Sequence, residues 1–247
     1  YGLGDLEGEF TTVKDGVRAG YQPSCADCPT AEVWWFGGSV AFGWVARDEH
    51  TPSSELARVA EASGLNLDIK NLAVPGWTIW QEFQLLAAML ATTDELPDAV
   101  VFYDGFNDIA SGIVEAGLEG RIDTDGPTIL DSDRFGRYYQ DTPSLDPAGG
   151  PEAVAAATAS KYRGVQALVT SILPSSVPVF FVLQPDPFGS PVQLEGIRGI
   201  TRAPAEEAVR SEFGRTIRAF EQELLEPRSV LVVRDALDRL QDPVFSD

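Results

Sequence analysis

The chain alternates between short, nearly continuous apolar runs and longer stretches in which apolar residues return every three or four positions. Short runs bounded by Gly or Pro read as buried strands, and the 3.6-residue recurrence reads as helix with one apolar face. Residues 31–36 (AEVWWF), which run into Gly37-Gly38, predict a first strand. Residues 67–74, 99–103, 177–183 and 230–233 predict four more, and 99–103 is apolar throughout, as a central parallel strand is. Helices are predicted over 52–62, 78–92, 151–173 and 204–225. The first has Thr51 as N-cap and Pro52 at the opening helical position. The second carries Ile79, Phe83, Leu86 and Met89 at helical spacing.

Five strands separated by helices predict the α/β class. The expected architecture is a three-layer α/β/α sandwich on a five-stranded, mainly parallel sheet of order 2-1-3-4-5, with right-handed crossovers. Residues 1–30 read as an N-terminal extension with a Cys pair, and 31–247 as the α/β domain. Two Pro- and Gly-rich segments, 119–150 and 184–203, interrupt the pattern; long loops of this kind are commonly binding loops or lids.

Composition narrows the partners. The 38 acidic residues against 18 basic ones give a net charge of −20, a field that repels nucleic acid and anionic lipid. That charge suits a protein acting on neutral or cationic small molecules. No apolar run is long enough to span a bilayer, so no direct membrane insertion is expected. The chain opens on Tyr1 rather than Met, so a targeting or anchor segment is expected to have preceded it.

Cys25 and Cys28 are compatible with a local disulfide, a redox pair or two thiols. Their Pro-containing loop, 21–30, is not the strand-to-helix turn that a thioredoxin-like pair occupies. A loop-stapling disulfide would imply an oxidising compartment, and a secreted or cell-envelope protein of bacterial origin is expected. With His50 as the only histidine, the chain is poorly equipped for a zinc site. The Asp-rich stretch 119–150 lacks a calcium-loop pattern. No cofactor or metal is implied.

Chemistry gathers where strands end. The first strand runs into Gly37-Gly38-Ser39, the second into Asn71 through Gly76, and the third into Gly105-Phe106-Asn107-Asp108. In a parallel sheet these ends share one edge. Ser39 is placed as a nucleophile, with its own N–H, the Gly76 N–H and the Asn107 amide as oxyanion donors. Taken singly, Ser39 is also a plain turn residue and Asn107 an Asx-type cap. Their order on successive strands is what favours an acyl-transfer site.

That order resembles the SGNH, or GDSL-type, serine hydrolases over residues 35–235. The family's Gly-Asp-Ser is matched by Gly37-Gly38-Ser39, with Gly38 replacing the Asp. Its oxyanion glycine block is matched by Asn71 through Gly76, and its Gly-x-Asn-Asp by Gly105 through Asp108. The resemblance implies a flavodoxin-like fold and ester cleavage through an acyl-enzyme. It also implies an Asp-x-x-His block that supplies the general base. Asp247 stands about where that Asp belongs, and the His would fall three residues beyond it, so this block is expected to be cut short. His50 is the alternative base; the reading preferred for it is a loop histidine paired with Asp48 or Glu49.

The expected substrate is a small-molecule ester or an acylated carbohydrate, making the chain a carbohydrate O-deacetylase or small-ester esterase. The rival readings are an acyltransferase that passes the acyl group to a sugar, and a degenerate domain that binds a glycan or protein without turnover. Trp34 or Trp35 is expected in the core, whereas Trp44, Trp77 and Trp80 fall nearer the mouth. Arg198 and Arg202 are expected to be solvated surface charge.

Overall fold

The structure is a computed structural model that describes residues 3–93, 95–119, 150–185, 204–225 and 230–233. Strand β4 (Thr30–Gly37) is central. It pairs in parallel with β5 (Asn66–Asn71), from Thr30↔Asn66 to Trp35↔Asn71, and with β6 (Ala99–Asp104), from Val33↔Ala99 to Gly37↔Tyr103. Val33, Trp34, Trp35 and Phe36 are all buried, so both alternating sides of β4 are covered. On one side Phe36 stacks on Phe102, and Phe102 on Phe181, with ring centroids 5.2 and 5.3 Å apart. On the other, Trp35 stacks on Tyr103 at 5.3 Å.

The described residues fall into two compact units, Tyr1–Asp104 with Val165–Phe181, and Gly105–Gly164 with Val182–Asp247. In the first, the five-stranded expectation needs correcting. Three short strands, β1 (Leu6–Glu7), β2 (Thr12–Lys14) and β3 (Val17–Arg18), extend the sheet beyond β5. They are antiparallel to one another, and β3 joins β5 through Arg18↔Asn71. The strand order in this unit is β1-β2-β3-β5-β4-β6-β7, where β7 is Val179–Leu183. The end of β7 pairs in parallel with β8 (Leu231–Val232) in the second unit. Among the described residues, the five expected strands therefore keep the order 2-1-3-4-5 inside a sheet of eight.

Most predicted boundaries hold within a few residues. Helix α2 (Pro52–Ala62) starts as expected, with the Thr51 hydroxyl accepting from Ser54 N–H at 3.2 Å. Helix α3 (Ile79–Leu90) follows Thr78, whose N–H donates to Gln81 Oε1 at 3.0 Å. The second strand stops at Asn71 rather than 74. Beyond it, Leu72 and Val74 leave the ladder but donate to Trp35 O at 2.8 Å and Gly37 O at 2.9 Å. Two further helices are Gly150–Ile172 and Pro204–Leu225.

The N-terminal segment is tied to α2 and β5. Tyr21 OH and Ser24 N–H both donate to the Glu61 carboxylate, the latter at 2.7 Å, and Asn66 Nδ2 donates to Cys25 O at 2.8 Å. The Tyr21 bond, first, and the Ser24 N–H hold the Glu61 carboxyl below its usual range. Of the three readings for the Cys pair, the disulfide Cys25–Cys28 is the one found. In the second unit, helix α4 (Phe106–Glu119) fills a stretch left unassigned above. Phe106 stacks on Phe213 at 5.2 Å, and Tyr162 meets Phe220 edge-on at 5.7 Å. No helix among the described residues is long and apolar enough to cross a membrane.

Where β4 ends, Gly37 has φ 153°, and a Cβ there would land on the Ala41 methyl and the Tyr103 carbonyl. Gly37→Ala should therefore cost roughly 2–5 kcal/mol, combining backbone strain with overpacking of backbone against backbone. A denaturant midpoint close to that of the parent would contradict this close approach. Burial pushes the Tyr103 phenol up to about 12. Below about pH 10 the folded and unfolded chains both keep that proton, so the group leaves stability level there. Between pH 10 and 12 only the unfolded chain releases it, and stability falls. A spectrophotometric titration of the folded protein should show a phenol ionising near 12; six tyrosines all titrating together near pH 10 would contradict the burial.

Candidate active site

The turn at Gly37 delivers the chain into a single helical turn. Gly38 takes the N-cap position in extended backbone, and Ser39 is the first residue of α1 (Ser39–Phe42). Gly43 closes it in the left-handed region, φ 76°, with its N–H on Ser39 O at 3.0 Å; Trp44 N–H reaches the same carbonyl at 3.1 Å. Ser39 is half-buried, and its hydroxyl makes no hydrogen bond among the described residues.

A four-residue helix does not stand by itself. Side chains from the sheet edge hold its far end. Asn71, 2% exposed, donates from Nδ2 to Ala41 O at 3.2 Å and to Ser53 Oγ at 3.0 Å, while its Oδ1 accepts from Ala73 N–H at 3.2 Å. Arg18, from β3, is 1% exposed. Its Nη1 donates to Phe42 O at 2.5 Å and Gly43 O at 2.6 Å, and its Nη2 to Ala46 O at 2.6 Å and Thr11 Oγ1 at 3.4 Å. Its Nε meets Asp48 Oδ1 at 3.1 Å, and the guanidinium carbon lies 4.4 Å from the Phe42 ring centroid. Sequence reading missed Arg18. The signal was the Asp15-Gly16 pair, whose φ values of 53° and 78° form the tight hairpin turn that brings β3 back beside β2.

The Gly76 segment is bonded to the same turn through Val74 N–H and Gly37 O, and Trp77 N–H then folds back to Val74 O at 3.1 Å. Gly76 has φ 84°, and a Cβ there would meet nothing within 4 Å. Its N–H finds no protein acceptor among the described residues. Ser39 and Gly76 thus stand on two segments of the first unit joined by a hydrogen bond, with open space at Gly76.

Asn107 belongs to the second unit, as the second residue of α4, and is half-buried. It is preceded by Gly105, φ 110°, where a Cβ would press on Leu183 Cδ2 at 2.9 Å, and followed by buried Asp108. Asp247, Arg198, Arg202 and residues 120–149 lie outside the described residues. His50 is exposed at the end of the 3-10 turn Asp48–His50, and its Nδ1 is 2.9 Å from Glu55 Oε1. The partner is thus neither Asp48 nor Glu49: the Asp48 carboxylate already serves Arg18 and accepts from Thr12 N–H at 2.9 Å.

Both Trp34 and Trp35 are buried, Trp77 and Trp80 are half-buried, and Trp44 is 65% exposed. Among the described residues, no three His, Cys, Asp or Glu side chains are grouped to hold a metal.

No family profile matches the chain, and no curated protein matches it. Solved structures do. AlinE4, an SGNH-hydrolase family esterase, is 15% identical with a TM-score of 0.42, over 91% of this chain and 86% of that one. TesA is 15% identical with a TM-score of 0.39, over 85% of this chain and 83% of that one. Axe2, an acetylxylan esterase from Geobacillus stearothermophilus, is 14% identical with a TM-score of 0.37, over 85% of this chain and 81% of that one. In the pattern of its three motif blocks the chain resembles the SGNH, or GDSL-type, hydrolases.

Proposed function

We propose that the chain is a serine carboxylic-ester hydrolase of SGNH type. The observation that carries this reading is the turn at Gly37: it presents Ser39 at the head of α1 and is bonded to the segment holding the unengaged Gly76 N–H. In the proposed reaction the Ser39 oxygen attacks the ester carbonyl while a base takes its proton. The oxyanion is received by the Ser39 and Gly76 N–H groups, each worth roughly 3 kcal/mol of barrier, and the family resemblance implies the Asn107 amide as a third donor. The proton then passes to the leaving alcohol, and an acyl-serine remains. Water attacks that ester in the same geometry, releasing the acid and restoring Ser39. The family resemblance implies an imidazole as that base, with Asp247 at the place of the Asp that orients it.

An acylated carbohydrate or another small ester is the favoured substrate. Trp44 supports this: its backbone is bonded to the Ser39 carbonyl, and its indole is largely exposed, an aromatic surface one helical turn from the nucleophile. The Cys25–Cys28 disulfide supports work in an oxidising compartment, outside the cell or in its envelope.

In the native protein, Ser39→Ala should lower kcat on a short p-nitrophenyl ester by at least about 10³-fold with Tm unchanged. Turnover that survives the substitution would sink the assignment. His50→Ala should leave turnover intact; its loss would instead make His50 the base.

A further inference from the structure

We propose that Arg18 is a positioning residue for Ser39, fixing the nucleophile turn from the neighbouring sheet edge; the proposal rests on the reading of Ser39 as nucleophile. The last carbonyls of any helix lack intrahelical donors, and in a one-turn helix these carbonyls are nearly the whole element. Here the three consecutive carbonyls of Ala41, Phe42 and Gly43 are all taken by two side chains, Asn71 and Arg18. Those two residues are register partners across β3 and β5, so the receiving surface is a single rigid edge.

The guanidinium uses all five of its N–H donors on Phe42 O, Gly43 O, Ala46 O, Thr11 Oγ1 and Asp48 Oδ1. A planar fork with every donor engaged fixes where each carbonyl lies, which a single ammonium does not. Ser39 is three residues from Phe42, and its carbonyl is held by the N–H groups of Gly43 and Trp44. A shift of Phe42 or Gly43 therefore moves Ser39 directly. The anchor itself is set from the other side: the Asp48 carboxylate that receives Arg18 Nε also accepts from Thr12 N–H in β2. By this chain of contacts the N-terminal hairpin is a working part of the nucleophile's support.

The test compares variants on the same p-nitrophenyl ester, with activity expressed per folded molecule. Arg18→Lys should lower kcat by about 10²-fold, the cost of an ångström-scale misplacement, while KM stays near the parent value. Leu86→Ala, a core truncation in α3 that also lowers Tm, should keep its kcat. Arg18→Ala should regain part of its kcat when millimolar guanidinium is added. An Arg18→Lys variant with the parent's kcat would overturn the proposal, as would a Leu86→Ala variant that loses kcat equally. If Arg18→Lys does not fold, Asp48→Asn decides: a fall in kcat at constant KM supports the proposal, and an unchanged kcat overturns it. Parent turnover that survives Ser39→Ala marks failure of the nucleophile reading and takes this proposal with it. Parent turnover lost in Ser39→Ala but kept in Arg18→Lys marks failure of this proposal alone.

Discussion

A helix of one turn has no stability of its own, and α1 is such a helix. What gives it a defined position is a set of hydrogen bonds from outside: Asn71 and Arg18 on its final carbonyls, and the Gly37 turn at its head. Several costs are tolerated for that placement. Gly37 occupies backbone that other residues avoid, and Arg18 takes a full positive charge out of water. The charge is sustained because each of its donors has an acceptor, one of them the Asp48 carboxylate. Removing a single partner from so closed a set exposes the rest to an unmet demand, which is why these residues act as a group.

The central sheet explains why the placement can be rigid. β4 is buried on both sides and flanked by parallel neighbours, so its carboxyl end is a fixed platform. The stacked row Phe36, Phe102 and Phe181 fills one side, and Trp35 against Tyr103 fills the other. From this platform the chain at Gly37 turns toward α1, and the Gly37 carbonyl also receives the segment that carries Gly76.

Much of this was legible in the sequence. Continuous apolar runs such as 99–103 identify central parallel strands because such strands need no polar side. The start of α2 is legible because Thr51 and Pro52 carry the local chemistry of a helix start. The turns at Gly37 and Gly76 are legible because glycine suits the positive φ, 153° and 84°, that each adopts. The N-terminal strands were not, because two- and three-residue strands carry no measurable alternation and owe their pairing to the edge they join. Arg18 was hidden for a related reason: in sequence it is one arginine among eighteen basic residues, and only the pairing of β3 with β5 buries it. The Glu55 partner of His50 lies one turn into α2, so proximity along the chain pointed to the wrong carboxylates.

The most direct test of the account is to treat the native protein with a fluorophosphonate, which phosphonylates an activated serine, and to locate the adduct by peptide mass spectrometry. The account predicts a single adduct per chain, on Ser39, with ester turnover lost in step with its formation. An adduct on another residue, or full ester turnover with Ser39 unmodified, would contradict it.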